Sequence, residues 1–252
     1  MQDWQLRPAH DIGLPLNQQL KSVRREGGLV NAITHLAWEL FVTTYLKVFH
    51  RLSIEGREHL PADGPFILVA NHASHLDSLV LASAVPWRLQ ERVFPVAAGD
   101  TFFSTPLTGT LSALLINALP MWRDRTCVHG LADLRERLTQ EQCVYIVFPE
   151  GTRTRSGELG PFKAGIGMLV VASAVPVVPC RLFGTYEALP HDRRWPKPTK
   201  VRLKIGEPIS FAEVPNDRQG WQSAAKRIED AVVALAAETL RLPQSGGGPP
   251  QE

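Results

Sequence analysis

The sequence predicts an α/β fold: a single domain with a mostly parallel central sheet flanked by helices. Three observations carry this. Apolar runs such as Phe66-Ile67-Leu68-Val69-Ala70 and Val144-Tyr145-Ile146-Val147-Phe148 are too short for helices and read as buried strands. Such runs alternate with longer stretches of helical periodicity, the order of β-α-β units. The residues able to do chemistry fall directly after the apolar runs, and open α/β sheets place their sites at the carboxyl ends of strands. A chain of 252 residues, 44% hydrophobic, can bury one large core of this kind.

Residues 1–28 form a polar lead-in, with Pro8 and Pro15, that ends in Arg24-Arg25-Glu26-Gly27-Gly28. Residues 29–51 are apolar over a length that matches a bilayer, but Glu39 and Lys47 would each cost about 2.5–3.5 kcal/mol inside one. The polar residues Asn31, His35, Glu39, Thr43, Lys47 and Arg51 recur every fourth place, so their stripe winds by about 40° per step around a helix. The expectation is a helix lying in the membrane interface or packed partly on the domain, with Trp38, Phe41, Tyr45 and Phe49 suited to that place.

The globular domain proper is expected over residues 52–242. Strands are expected at 52–55, 66–70, 93–98, 119–122, 144–148, 176–183 and 200–205. Helices are expected at 77–85, at 127–142 from the spacing of Cys127, Leu131, Leu134 and Leu138, and from Pro161 to Ala174. A last helix starts at Asn216 or Asp217 and runs to about Leu242. The Gly/Pro-rich tail, 243–252, reads as disordered.

Composition excludes several classes. A formal net charge of +2 and the lack of an RNA- or DNA-binding motif leave no case for nucleic acid. Cys127, Cys143 and Cys180 are odd in number and widely spaced, which suits a reducing compartment and offers no metal cluster. No basic region followed by an apolar core marks a secretory signal, so the cytoplasmic side of the membrane is expected, in peripheral or monotopic association. There is neither a Gly-x-Ser-x-Gly nucleophile elbow nor a Gly-x4-Gly-Lys-Ser/Thr phosphate loop.

The central stretch is Asn71-His72-Ala73-Ser74-His75-Leu76-Asp77, between the 66–70 run and a helix. Five residues of regular helix turn the chain by roughly 500°, so His72 and Asp77 converge only if His72 precedes the helix and Asp77 lies in its first turn. Ser74 as N-cap allows this, placing Asp77 at the third helical position as in a capping box. Read alone, the pair is better explained by a loop histidine and a helix cap. The second stretch, Pro149-Glu150-Gly151-Thr152-Arg153, also follows a buried run. Gly151 permits a tight turn, Thr152 supplies a hydroxyl and Arg153 a bidentate fork for phosphate. Glu150 would repel a phosphate; its work is to orient Arg153 or accept from a hydroxyl. Arg123 and Lys163 are further cations at element ends, with Asn71 an additional candidate.

Asn71-His72-x4-Asp77, Arg123 after an apolar run, Phe148-Pro149-Glu150-Gly151-Thr152-Arg153, and Val175-Pro176-Val177-Val178-Pro179 come in the order and spacing of four motifs. Over residues 52–210 the chain resembles the glycerolipid acyltransferases of the 1-acyl-sn-glycerol-3-phosphate acyltransferase type. It departs from them at Leu119-Pro120-Met121-Trp122, where the family has a glycine and Phe-Ile before the arginine. The resemblance implies the glycerolipid acyltransferase fold, with His72 as general base and Asp77 holding its tautomer. Arg123, Glu150, Gly151, Thr152 and Arg153 would bind the acceptor's phosphate. The acceptor would be a lysophospholipid, the donor an acyl-CoA or acyl carrier protein thioester, with no cofactor and no metal. Another lysolipid acceptor, such as a lyso-ornithine lipid, and a catalytically silent lipid-binding protein are the competing expectations.

Overall fold

The computed structural model describes residues 29–98, 119–121, 127–190, 192–193 and 195–241. The polar lead-in, residues 99–118 and 122–126 with Arg123 among them, and the 243–252 tail lie outside the described residues.

Among the described residues seven strands form one sheet, in the order β1 (Ser53–Glu55), β7 (Arg202–Ile205), β6 (Val177–Phe183), β2 (Phe66–Ala70), β5 (Val144–Val147), β3 (Val93–Ala98) and β4 (Leu119–Met121). β6, β2, β5, β3 and β4 run parallel to one another; β7 is antiparallel to β6, and β1 runs with β7. The sheet is therefore mostly parallel, as the buried apolar runs required. β2 sits between β6 and β5, with Ala70 opposite Cys180 and Val69 opposite Val147.

Alternation along the strands divides the core into two layers. Phe66, Leu68, Val144, Ile146, Val178 and Cys180 face one side, and Ile67, Val69, Tyr145, Val147 and Val177 face the other. The first layer is covered by α1 (Leu29–Phe49) and α2 (Leu76–Ala84), the second by α3 (Cys127–Gln140), α4 (Gly165–Val170) and α6 (Arg218–Arg241). Each fully buried aliphatic or aromatic side chain contributes about 1.5–3 kcal/mol. In α3 the expected spacing holds: Leu131, Leu134 and Leu138 are buried. A short helix that the sequence did not announce, α5 (Thr185–Ala188), follows β6.

One expected helix is shorter than its pattern. The helix foreseen from Pro161 to Ala174 spans only Gly165–Val170. The N–H of Phe162 is taken by the Glu229 carboxylate at 2.7 Å and that of Lys163 by the Pro149 carbonyl at 3.0 Å, so this backbone serves tertiary contacts instead. Past the helix, Ala172 has φ 49, a left-handed conformation that ends it. α4 and α6 then pack closely, because a Cβ on Gly167 would collide with the Trp221 backbone.

α1 packs on the body through Trp38, Val42, Tyr45 and Leu46. It leaves Leu40, Phe41 and Val48 exposed at 70%, 60% and 76%. No helix among the described residues is long and apolar enough to cross a membrane.

Candidate active site

Two turns meet at the carboxyl end of β2. The first leaves β2 through Asn71, whose buried amide accepts the Leu182 N–H at 2.8 Å and donates to the Leu182 carbonyl at 3.2 Å. Asn71 is thus a strut between β2 and β6, with both ends of its amide committed to backbone.

His72 follows, and its Nδ1 lies 2.9 Å from Asp77 Oδ2. Asp77 is fully buried in the first turn of α2. Its Oδ2 also accepts the N–H groups of Ala73 and Ser74, each at 2.7 Å. An oxygen that already takes two backbone N–H groups acts as an acceptor toward the imidazole as well. The hydrogen network therefore assigns the imidazole proton to Nδ1 and leaves the Nε2 lone pair free. The ring stacks on Phe148, with centroids 4.1 Å apart and planes at 14°, which fixes its orientation.

Regular helix begins at Leu76, so the formal cap position is His75, whose side chain makes no capping bond. The capping chemistry nevertheless comes from Ser74, as its hydroxyl accepts the Leu76 N–H at 3.1 Å. The same hydroxyl donates to the Leu189 carbonyl at 2.8 Å. Committed in both directions, Ser74 is a structural residue.

The second turn leaves β5. Glu150 Oε1 accepts the His72 N–H at 2.6 Å, and Oε2 accepts the Gly160 N–H at 2.8 Å. The Thr154 N–H returns to the His72 carbonyl at 2.9 Å, so both backbone groups of His72 are held by this turn. Burial raises the Glu150 carboxyl above its ordinary pKa; the two N–H bonds and the charges of His72 and Arg181 pull it back. Among the described residues Glu150 has no hydrogen bond to Arg153, which was one of the two tasks expected of it. Its geometry is that of a clamp between turns.

Gly151 has φ 75, and a Cβ there would lie 2.6 Å from Lys163 Nζ. The glycine thus lets the Lys163 ammonium close on the turn. Arg153 is half-buried with Nη1 unpartnered, and Asp77 supports the charge that burial disfavours. Thr152 is exposed. The fold therefore brings His72, Asp77, Glu150, Gly151, Arg153 and Lys163 together, while Arg123 lies outside the described residues. Two contributors were missed by sequence reasoning. Phe148 supplies the ring beneath His72. Arg181, half-buried on β6 with Nε and Nη1 unpartnered, supports the Glu150 carboxylate electrostatically. A charge inside the apolar run 177–183 was the signal that could have found it.

A model of the family described as Acyltransferase matches residues 51–182, just over half of the chain. The chain belongs to the acyltransferase family. The matched segment holds both turns and Arg181. The chain is 32% identical over 159 residues to "1-acyl-sn-glycerol-3-phosphate acyltransferase beta" of Homo sapiens, covering 62% of this chain and 55% of the relative. It is 27% identical over 164 residues to the alpha protein of Mus musculus, covering 64% and 55%. The chain thus spans about half the length of these curated relatives. The crystal structure of the 1-acyl-sn-glycerophosphate (LPA) acyltransferase PlsC from Thermotoga maritima matches with a TM-score of 0.63 and 28% identity, over 84% of this chain and 82% of that one.

Proposed function

We propose that the protein is an O-acyltransferase that moves a fatty acyl group from an acyl-CoA or acyl carrier protein thioester to the hydroxyl of a lysophospholipid. The acceptor we favour is 1-acylglycerol-3-phosphate, giving phosphatidic acid. The observation that carries this reading is the His72–Asp77 pair, oriented by backbone and by Phe148 at the end of β2 in a chain of the acyltransferase family.

In this mechanism His72 Nε2 takes the proton of the acceptor hydroxyl as its oxygen attacks the thioester carbonyl. Asp77 stabilises the imidazolium. The tetrahedral adduct collapses with cleavage of the C–S bond, and the leaving thiolate takes the proton back from Nε2. General-base help of this kind is worth about 10²–10⁴-fold in rate. The acceptor oxygen is itself the nucleophile, so no enzyme serine or cysteine is required. Arg153, with Gly151, Thr152 and Lys163 around the same turn, holds the acceptor's phosphate by charge-assisted hydrogen bonds; Arg123 would join from outside the described residues. No cofactor takes part; the acyl thioester is a co-substrate. The lipid acceptor brings the protein to the cytoplasmic face of a membrane, where the exposed Leu40, Phe41 and Val48 of α1 meet the interface.

The test is incubation of the purified protein with labelled acyl-CoA, or acyl carrier protein charged with the same chain, and a panel of lysolipids. Labelled phosphatidic acid is the expected product. A labelled ornithine lipid or other diacyl product would move the acceptor assignment, and no labelled product with any acceptor would overturn the enzymatic reading.

A further inference from the structure

The loop that carries the chain from α5 to β7 bears a Trp195 that is 81% exposed, a large apolar surface left in water. Within the loop the described residues Arg193, Lys197 and Lys200 are exposed beside one exposed acid, Asp192, with Glu187 exposed on the adjoining α5. Pro190, Pro196 and Pro198 restrict the backbone of the loop. Two bonds anchor it. The Lys197 N–H bonds the Ala188 carbonyl at 2.8 Å, and the Thr199 carbonyl meets Nδ1 of His50 at 3.2 Å.

The position matters as much as the composition. β6 and β2 are parallel, so α5 and the loop emerge at the same sheet edge as His72. Leu189, at the start of the loop, accepts the Ser74 hydroxyl of the catalytic turn at 2.8 Å. His50, at the other end, joins the loop to the end of α1, where Lys47 and Val48 are exposed. An indole on a loop that also exposes Arg193, Lys197 and Lys200, tied at one end to the turn of His72 and at the other to α1, has the chemistry of an interfacial anchor.

We propose that the 190–200 loop is a second membrane contact, which inserts Trp195 into the interface of an anionic bilayer and so turns the His72 edge of the sheet toward the lipid. The occupant is the surface of a bilayer rich in anionic headgroups, recognised by Arg193, Lys197 and Lys200. The idea rests on the lipid-acyltransferase reading for its purpose but not for its test. The molecule carries its own control: Trp87 is 84% exposed beside Arg88, but lies between α2 and β3, at the opposite edge of the sheet.

The experiment is co-sedimentation of the full chain with vesicles of phosphatidylcholine alone and with about one third phosphatidylglycerol. Trp195→Ala is expected to weaken partition onto the anionic vesicles by roughly 10-fold. Lys197→Glu should weaken it by about fivefold or more on anionic vesicles only. Trp87→Ala should bind as the unmodified protein does. Quenching of tryptophan fluorescence by brominated lipid should fall in Trp195→Phe. In acyl-transfer assays, Trp195→Ala should keep its turnover on a monomeric short-chain acceptor and lose it on an acceptor embedded in vesicles. Unaltered vesicle binding of Trp195→Ala, or an equal loss in Trp87→Ala, would overturn the proposal. A protein that transfers no acyl group yet binds anionic vesicles through Trp195 would sink the enzymatic reading and leave the anchor standing.

Discussion

The turn after β2 and the turn after β5 do comparable work by different means. In the first, the bonds that matter are local: His72, Ala73 and Ser74 all converge on Asp77, five residues away at most. In the second, the bonds are long-range: Glu150 reaches His72 across 78 residues, and Phe162 reaches Glu229 across 67. In the mechanism we propose, the first turn makes a base and its orienting partner, whereas the second holds that base by its backbone and presents cations. A site assembled this way should lose chemistry when the first turn is broken, and binding or stability when the second is.

The largest effect expected is that of His72→Ala, which should cut the rate of acyl transfer by about 10²–10⁴-fold. Its thermal unfolding midpoint should stay near that of the parent, since the Asp77 bonds to Ala73 and Ser74 remain. Near-normal turnover in this variant would remove His72 from the mechanism. Next comes Arg153→Ala, which should raise KM for a phosphate-bearing acceptor by roughly 10–100-fold, the worth of a charge-assisted hydrogen bond. Its kcat should hold within a few-fold, and an unchanged KM would break the division between the turns.

Glu150→Ala tests the clamp. It leaves the N–H groups of His72 and Gly160 without their acceptor, at a cost of about 1–3 kcal/mol each where they remain dry. Chemical denaturation should show that loss, and a fully stable variant would mean the turns are held together by other contacts.

The smallest effect lies outside both turns. His50 is buried between the Tyr45 hydroxyl and the Thr199 carbonyl, and burial lowers its pKa below the usual 6.5 while the Thr199 bond opposes the shift. The unfolded chain then binds a proton that the folded one refuses. This contribution to stability is intact above about pH 6.5 and is lost as pH falls through that value toward the folded pKa. Comparing His50→Gln with the parent between pH 7.5 and 5.5 by thermal unfolding isolates it, with a flatter profile expected for the variant and the same kcat at pH 7.5.

The comparison also explains what could be read from the sequence. The strands of the parallel core were legible because burial on both faces demands unbroken apolar runs, and α3 because Leu131, Leu134 and Leu138 keep helical spacing. A helix start allowed His72 and Asp77 to converge, but only the resemblance to the glycerolipid acyltransferases chose a base and its partner over a loop histidine and a cap. The late start of α4 was not legible, since the acceptors that hold the Phe162 and Lys163 N–H groups, Glu229 and Pro149, are distant in sequence. Asn71 looked like a site residue because of where it stands, and only its bonds to Leu182 make it a strut.

The sequence by itself determined the fold class and the strand-end placement of the chemistry, because each follows from local periodicity, and it allowed His72 to meet Asp77 without requiring it. Tertiary structure alone decided that Phe148 lies under the imidazole, that Glu150 grips the backbone of His72, that Arg181 stands beside that carboxylate, and that the Trp195 loop leaves the sheet at the same edge as the base. These depend on which strands become neighbours, and strand order is set by the packing of two helical layers on a common sheet.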